Sequence, residues 1–186
     1  MTEPSRQALL ELVHARVREC TLCRLARSRR LAVPGEGPLE ARLLLVGEAP
    51  GEAEDREGFP FVGAAGKRLS GLLDAAGLTR PEVFISNIVK CRPPKNREPR
   101  EDEMTACRPY LLAQLALVRP QAVGTLGRIA GRALIGPELN LSEDHGRPFT
   151  RLGIPFVPLY HPIAMQTRET MEKDMRRVRR LLERAG

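Results

Sequence analysis

Short, unbroken apolar runs alternate along the chain with longer segments in which apolar residues recur at helical spacing. An unbroken run is typical of a strand buried on both faces of a parallel sheet. Four segments have this character, and each leads into glycine, proline or polar sequence: 43–46, 82–86, 121–126 and 155–160. Helical spacing predicts helices over 6–18, from 64 to about 76, from about 101 to 118, over 127–134 and at the C-terminus. The pattern therefore predicts an α/β fold.

Length and hydropathy limit the possible architectures. A chain of 186 residues suits one well-buried domain and is short for two, so we expect a single domain over residues 1–186. The longest apolar run is about five residues, far below the ~20 that cross a bilayer, and the first residues do not form a signal-peptide core. We expect a soluble, cytoplasmic monomer with no membrane partner.

The charge balance favours a polyanionic partner. The net charge is +7, and 26 of the 30 basic residues are arginine, whose planar guanidinium suits bidentate phosphate recognition. A GC-rich or thermophilic genome would also enrich arginine, so composition alone leaves both interpretations open. With five Phe, two Tyr and no Trp, stacking on several successive bases is not expected, although one base can still be held.

Polar residues follow three of the predicted strands. Gly47-Glu48-Ala49 follows the first, Asn87 the second and His161 the fourth. Ligands of open α/β sheets bind at the carboxyl ends of the strands, so we expect these groups to share one edge. A carboxylate, an amide and an imidazole can together perform acid/base chemistry and recognise a polar ligand, although each alone is also typical of a cap or a turn. Phe61, in the loop after the first strand, is either a stacking platform or a core residue.

Four cysteines indicate a metal site rather than disulfides in a cytoplasmic protein. Cys20 and Cys23 form a CxxC pair, whereas Cys91 and Cys107 are separated by 15 residues. Structural zinc sites usually combine two close pairs, while the ligands of an iron–sulfur cluster can be dispersed. The spacing leaves three alternatives open: an iron–sulfur cluster, zinc, or free structural cysteines.

Several motifs, in order, resemble the family 4 uracil-DNA glycosylases, the iron–sulfur-containing bacterial and archaeal branch of that superfamily. They are Cys20-x-x-Cys23, GEAPGEAED, GFPFVGAAGK, SNIVKCRPPKNREP, the Cys91 to Cys107 spacing and His161-Pro162. The resemblance covers nearly the whole chain. It implies a three-layer α/β/α sandwich around a four-stranded parallel sheet, and a [4Fe-4S] cluster held by Cys20, Cys23, Cys91 and Cys107.

The resemblance also implies a reaction, the hydrolysis of the N-glycosidic bond of deoxyuridine after the base has been flipped out of double- or single-stranded DNA. Phe61 would stack on uracil, Asn87 would recognise its N3–H and O4, and His161 would donate to O2. The backbone of Gly47, Glu48 and Ala49 would complete the grip. In the family 1 enzymes the corresponding loop resembles GQDPYH, and its aspartate positions the attacking water. Ala49 occupies the matching position here and cannot do so. Glu48, the nearest carboxylate, is therefore our candidate for positioning the water.

The remaining assignments concern thymine exclusion and DNA. The tyrosine that excludes thymine's methyl group in family 1 is absent, and Glu54 is our candidate for filling that space. In the family, the loop that begins at the histidine matching His161 more often resembles HPAA, and the present sequence, HPIAMQTR, departs from that pattern. We expect Met165 to be the wedge that enters the minor groove and Arg168 to contact a phosphate. Further phosphate contacts are expected from cations in and beside the basic loop 91–100, namely Lys90, Arg92, Lys95 and Arg97. DNA binding would place the protein at the nucleoid.

Two alternatives belong to other functional classes. A non-catalytic DNA-binding module braced by a metal would show the same charge, but would have no use for Glu48, Asn87 and His161 together. A nucleotide-binding domain would need a phosphate loop, and GEAPGE lacks the GK[ST] ending and carries repelling carboxylates. The sequence decides neither a redox role of the metal site nor a replication-clamp partner.

Overall fold

A computed structural model describes residues 4–184 and contains a five-stranded sheet with the order β2-β1-β3-β5-β4. The strands are β1 (Leu43–Gly47), β2 (Val83–Asn87), β3 (Ala122–Leu126), β4 (Phe149–Arg151) and β5 (Ile154–Leu159). The helices are α1 (Arg6–Glu19), α2 (Glu52–Glu57), α3 (Ala64–Asp74), α4 (Glu101–Val118), α5 (Arg128–Leu134), α6 (Leu141–Asp144) and α7 (Arg168–Arg184). No helix within these residues is long and apolar enough to cross a bilayer.

The four predicted strands are confirmed, and all four are parallel to one another: β2, β1, β3 and β5. The fifth strand, β4, is antiparallel to β5 and was not predicted. Leu152 and Gly153 join the two strands, and both have positive φ (51° and 78°), as a tight two-residue hairpin turn requires. β4 has only three residues and lies at a partly exposed edge of the sheet. Its sequence therefore contains no apolar run from which a strand could be predicted.

Helices cover both faces of the sheet, which confirms the three-layer sandwich. Successive residues of β1 point to opposite faces: Leu44 and Val46 pack with α1, α4 and α5, whereas Leu43 and Leu45 pack with α3 and α7. Every residue of β1, β2 and β3 is buried. This double burial explains why these strands are unbroken apolar runs.

Two short helices were not predicted from the sequence. Helix α2 lies in the acidic loop after β1, where Glu52 begins it and Gly58, with φ 80°, ends it. Helix α6 is one turn, capped by the side chain of Asn140. Neither helix is long enough to show a recurring apolar face.

Candidate active site

The carboxyl ends of β1, β2 and β5 meet at a cavity of about 470 Å³, here called the strand-end pocket. Glu48, Asn87 and His161 all line it, as the sequence analysis predicted. They are joined there by Ala49, Pro50, Gly51, Glu52, Ala53, Glu54, Phe61, Gly63, Ala64, Ala65, Pro93, Asn96, Arg97 and Ile163. The pocket thus collects residues from three strand ends, α2, the start of α3 and the basic loop 91–100.

Asn87, which lines the pocket, carries a buried and unpaired side-chain acceptor. Its side chain is 1% exposed, and its Oδ1 is one of three buried side-chain polar atoms in residues 4–184 without a hydrogen-bond partner. The other two, in Arg6 and Thr125, belong to residues that do not line the pocket. A buried acceptor without a partner costs about 1–3 kcal/mol, so a ligand that donates to Oδ1 would recover this energy.

Gly47 makes room for the side chain of Asn87. The two residues are paired across β1 and β2. A Cβ at Gly47 would collide with Asn87 Oδ1 and approach within 2.7 Å of the Phe61 ring. Gly47 is therefore needed at this position because any side chain there would displace Asn87 and Phe61.

Phe61 is both a core residue and a wall of the pocket, so the two interpretations of this residue are compatible. It is 7% exposed and lies in the left-handed region, with φ 51°. Its ring centroid is 6.0 Å from that of His161. Arg80 Nη1 donates to the Phe61 carbonyl (3.1 Å), and a Cβ at Gly66 would collide with the same carbonyl. Strained backbone held by its surroundings is common at ligand sites.

Glu54 fixes the loop that carries Phe61. Its Oε1 accepts from the backbone N–H groups of Val62 (2.9 Å) and Gly63 (3.0 Å), and its Oε2 accepts from Gly51 N–H (3.0 Å). The carboxylate is therefore an immobile part of the pocket wall. Its role in excluding a methyl group stays a prediction.

The two candidate catalytic groups have shifted acidities. Burial, reinforced by the charge of Glu98, raises the pKa of Glu48, and Arg128 partly opposes this shift. Burial lowers the pKa of His161, with Glu54 opposing. His161 is thus a neutral imidazole at neutral pH, able to donate one N–H. Glu48 titrates above an ordinary glutamate and is a stronger base than one.

All four cysteines line a second, small cavity between α1, α4 and the segment after β2. Cys91 Sγ accepts from Arg29 Nη1 (3.1 Å), and Cys107 Sγ accepts from Lys90 N–H (3.2 Å). Burial raises the pKa of both thiols, that of Cys107 to about 11. Across residues 4–184, no three His, Cys, Asp or Glu side chains are grouped so as to hold one metal ion. In number and kind, four cysteine thiols are the ligand set that an iron–sulfur cluster would need.

The basic loop is held in place by a buried carboxylate. Glu103 is fully buried and accepts two hydrogen bonds from Arg97 (2.6 and 2.8 Å) and one from Arg100 N–H (2.8 Å). Arg24, directly after the CxxC motif, lies 3.9 Å from the same carboxylate. Glu103 therefore connects the two cysteine-bearing regions, a role that the sequence analysis missed.

The predicted phosphate contacts fall into three groups. Lys95 is exposed, whereas the side chains of Arg92 and Arg97 are about a quarter to a third exposed and pair with Glu52 and Glu103. The prediction for Lys90 is wrong, because its side chain is 1% exposed and its Nζ bonds only core acceptors.

The loop after His161 carries the predicted wedge. Met165 is fully exposed, and Arg168 begins α7 with its side chain 78% exposed and its Nε 2.7 Å from Glu172 Oε1. The backbone N–H of Ala164 donates to the His161 carbonyl (2.8 Å), so the loop turns back immediately after the pocket. An exposed methionine on a tight loop beside the pocket is consistent with a wedge, which stays a prediction.

The fold and the pocket define an α/β protein with a polar cavity at the carboxyl edge of its parallel strands. Residues 34–183 match the family model of the uracil DNA glycosylase superfamily. The type-4 uracil-DNA glycosylase of Saccharolobus solfataricus is 43% identical over 93% of this chain and 86% of its own length. That of Thermotoga maritima is 42% identical over 85% and 83%. The chain belongs to the uracil-DNA glycosylase superfamily, and within it to the type-4 branch.

The relationship extends to a neighbouring branch. The type-5 uracil-DNA glycosylase of Pyrobaculum aerophilum is 33% identical over 78% of this chain and 74% of its own length. This identity is lower than that to the two type-4 enzymes, which is consistent with assigning the chain to the type-4 branch.

Proposed function

We propose that this protein is a DNA-repair glycosylase that flips uracil out of DNA and hydrolyses its N-glycosidic bond, releasing uracil and leaving an abasic site. The observation that carries the proposal is the buried, unpaired Oδ1 of Asn87 beside Phe61 and a neutral His161, in a chain of this family. Uracil is planar, donates at N3 and accepts at O2 and O4, which matches these three groups.

Base selection follows from Asn87. Its Oδ1 accepts from uracil N3–H, and its amide donates to O4, whereas cytosine presents an acceptor at N3 and a donor at N4. With cytosine bound, Asn87 Oδ1 would face the acceptor N3, and the Asn87 NH₂ group would face the donor N4. A buried site strongly rejects a ligand that leaves its polar groups unpaired in this way. The immobile carboxylate of Glu54 forms the wall that a thymine methyl group would meet, and Phe61 stacks on the ring.

Bond cleavage uses His161 and Glu48. As the C1′–N1 bond breaks, its electron pair leaves with uracil, and the N–H of His161 donates to O2, where negative charge develops. A water held by Glu48 adds to C1′ and gives its proton to the carboxylate. The uracil anion takes up a proton from solvent and Glu48 returns its proton to solvent, so the products are uracil and a deoxyribose with a hydroxyl at C1′. The raised pKa of Glu48 suits a group that takes up this proton.

Contact with DNA is assigned to exposed residues around the pocket. Met165 enters the minor groove and fills the gap left by the flipped base, while Arg168 and Lys95 contact phosphates. Arg92 and Arg97 contribute where their paired guanidinium groups remain accessible. Flipping costs a few kcal/mol and least in a U:G mismatch or a single strand, so both double- and single-stranded DNA are substrates.

Cys20, Cys23, Cys91 and Cys107 are the residues that would hold a [4Fe-4S] cluster. When bound, it supplies a cross-link between the CxxC segment after α1, the loop after β2 and α4. The lining of one cavity by all four thiols supports this assignment. The ion pairs of Glu103 join the same regions, so the cross-link would reinforce contacts already made by the chain.

The test is base release from a uracil-containing oligonucleotide by the wild type and His161→Ala, beside a thymine control. We expect uracil-specific abasic sites from the wild type and a loss of about 10²–10³-fold in the variant, as for other donors to a developing anion. His145→Ala, outside the pocket, is the matched control. Tight DNA binding without base release by folded, cluster-loaded wild type would refute the proposal in favour of the metal-braced binding module.

A further inference from the structure

The side chain of Lys90 lies entirely within the core, although the partly exposed Arg92 and the exposed Lys95 follow it closely in the sequence. Its Nζ donates to three neutral acceptors: Ser86 Oγ, the Asn87 carbonyl (2.9 Å) and Gln114 Oε1 (2.8 Å). These use all three N–H donors of an ammonium group. Burying a charged group is costly unless it is hydrogen-bonded, and these three acceptors supply those bonds.

The backbone of Lys90 is held as firmly as its side chain. Its N–H donates to Cys107 Sγ (3.2 Å), and its carbonyl accepts from Val33 N–H (2.7 Å). Lys90 is thus fixed at once to the cysteine-lined cavity, to the connector before β1 and, through Nζ, to Asn87.

Asn87 needs such support because its own side chain cannot provide it. Oδ1 makes no hydrogen bond, which leaves it free for a ligand but gives the side chain no anchor at that atom. Its position is then set by packing against Gly47 and through the backbone of Asn87 itself. The Asn87 carbonyl lies at the end of β2, where the regular ladder stops, and Lys90 Nζ donates to it there.

We propose that Lys90 is a positioning residue for Asn87: its buried ammonium group fixes the turn from Ser86 to Lys90 so that Oδ1 faces the pocket unpaired. This inference rests on the proposed function. It assigns Lys90 to the recognition of the base and removes it from the DNA-contacting surface.

Lys90→Met, which keeps the length and removes the donors, tests the proposal. We expect kcat/KM on a uracil oligonucleotide and the affinity for free uracil, measured as product inhibition, each to fall about tenfold, which corresponds to one lost hydrogen bond of this type. Affinity for abasic-site DNA, which has no base for Asn87 to hold, should be unchanged. Gln114→Met is the matched control, since it removes a buried member of the same network and leaves the bond from Lys90 to Asn87.

A double-mutant cycle with Asn87→Ala separates positioning from simple destabilisation. If Lys90 acts through Asn87, adding Lys90→Met to Asn87→Ala produces little further loss. Additive losses, an equal fall in abasic-DNA affinity, or an equal loss in Gln114→Met would overturn the proposal. Lys90→Gln, a shorter neutral amide, replaces Lys90→Met if that variant does not fold. Absence of uracil release by the wild type would instead contradict the proposed function.

Discussion

The strand-end pocket and the cysteine-lined cavity lie at opposite ends of the short segment 86–91. They differ in whether a buried polar group is left without a hydrogen-bond partner. In the pocket, Asn87 Oδ1 is buried and unpaired. On the cysteine side, Lys90 Nζ makes three hydrogen bonds and the Glu103 carboxylate accepts three. Satisfied groups hold the scaffold, and an unsatisfied group marks the place where a ligand completes the structure.

The largest effect should come from Glu48→Gln, which removes the proposed base. We expect kcat/KM for uracil release to fall about 10²–10⁴-fold. Because the pKa of Glu48 is raised, wild-type activity should decline on the acid side with a midpoint above the ordinary 4.5, where the carboxylate becomes protonated. Single-turnover rates from pH 4 to 8 measure both.

Glu98→Gln is the control for this pH dependence. Glu98 raises the pKa of Glu48, so its removal should move the acid midpoint to lower pH without abolishing activity. An acid limb that is the same in wild type and Glu98→Gln, or that persists in Glu48→Gln, would contradict the assignment of the limb to Glu48.

A smaller loss is expected from Asn87→Ala, about 5–150-fold in kcat/KM, since one buried hydrogen-bonding partner of the base is removed. Asn96 offers the contrast, because it lines the same pocket but its Oδ1 already accepts from Arg92 (2.7 Å). Asn96→Ala should retain near-wild-type selectivity for uracil over cytosine. If Asn87→Ala and Asn96→Ala lost selectivity for uracil to a similar extent, the claim that the unpaired amide recognises the base would be contradicted.

On the cysteine side, Glu103→Gln should reduce stability rather than selectivity, by about 2 kcal/mol for weakened bonds to charged partners. Arg97 holds the pKa of Glu103 below its ordinary value, so the contribution is present above pH 4.5 and is lost as the pH falls through the lower folded pKa. Urea unfolding at several pH values measures it, with the exposed Glu101→Gln as control. Equal unfolding free energies in both variants would contradict the structural role.

The smallest effect is expected from Lys95→Ala, an exposed cation of the basic loop. DNA affinity should weaken a fewfold for all sequences, and the dependence of log K on log salt should lose about one unit of slope. Lys173→Ala, on α7 and outside the basic loop, serves as control. An unchanged slope would remove Lys95 from the phosphate contacts.

The sequence predicted the site better at the strand ends than in the loops. Glu48, Asn87 and His161 could be placed together because parallel strands bring their carboxyl ends to one edge. Lys90 could not be placed, because it stands beside a basic loop while the turn after β2 directs its side chain into the core. The start of α4 near residue 101 was correctly predicted, and Glu103 at its third position accepts from the backbone N–H of Arg100 at the N-cap. Its bidentate pairing with Arg97 depends on tertiary contacts that no local pattern encodes.

The most direct test of the central claim is a crystal structure of the cluster-loaded protein with uracil. We expect uracil in the strand-end pocket, stacked on Phe61, with N3–H donating to Asn87 Oδ1 at hydrogen-bond distance and O2 next to His161. Uracil bound with Asn87 Oδ1 still unpaired, or bound elsewhere on the protein, would contradict the claim that this unsatisfied acceptor defines the base-recognition site.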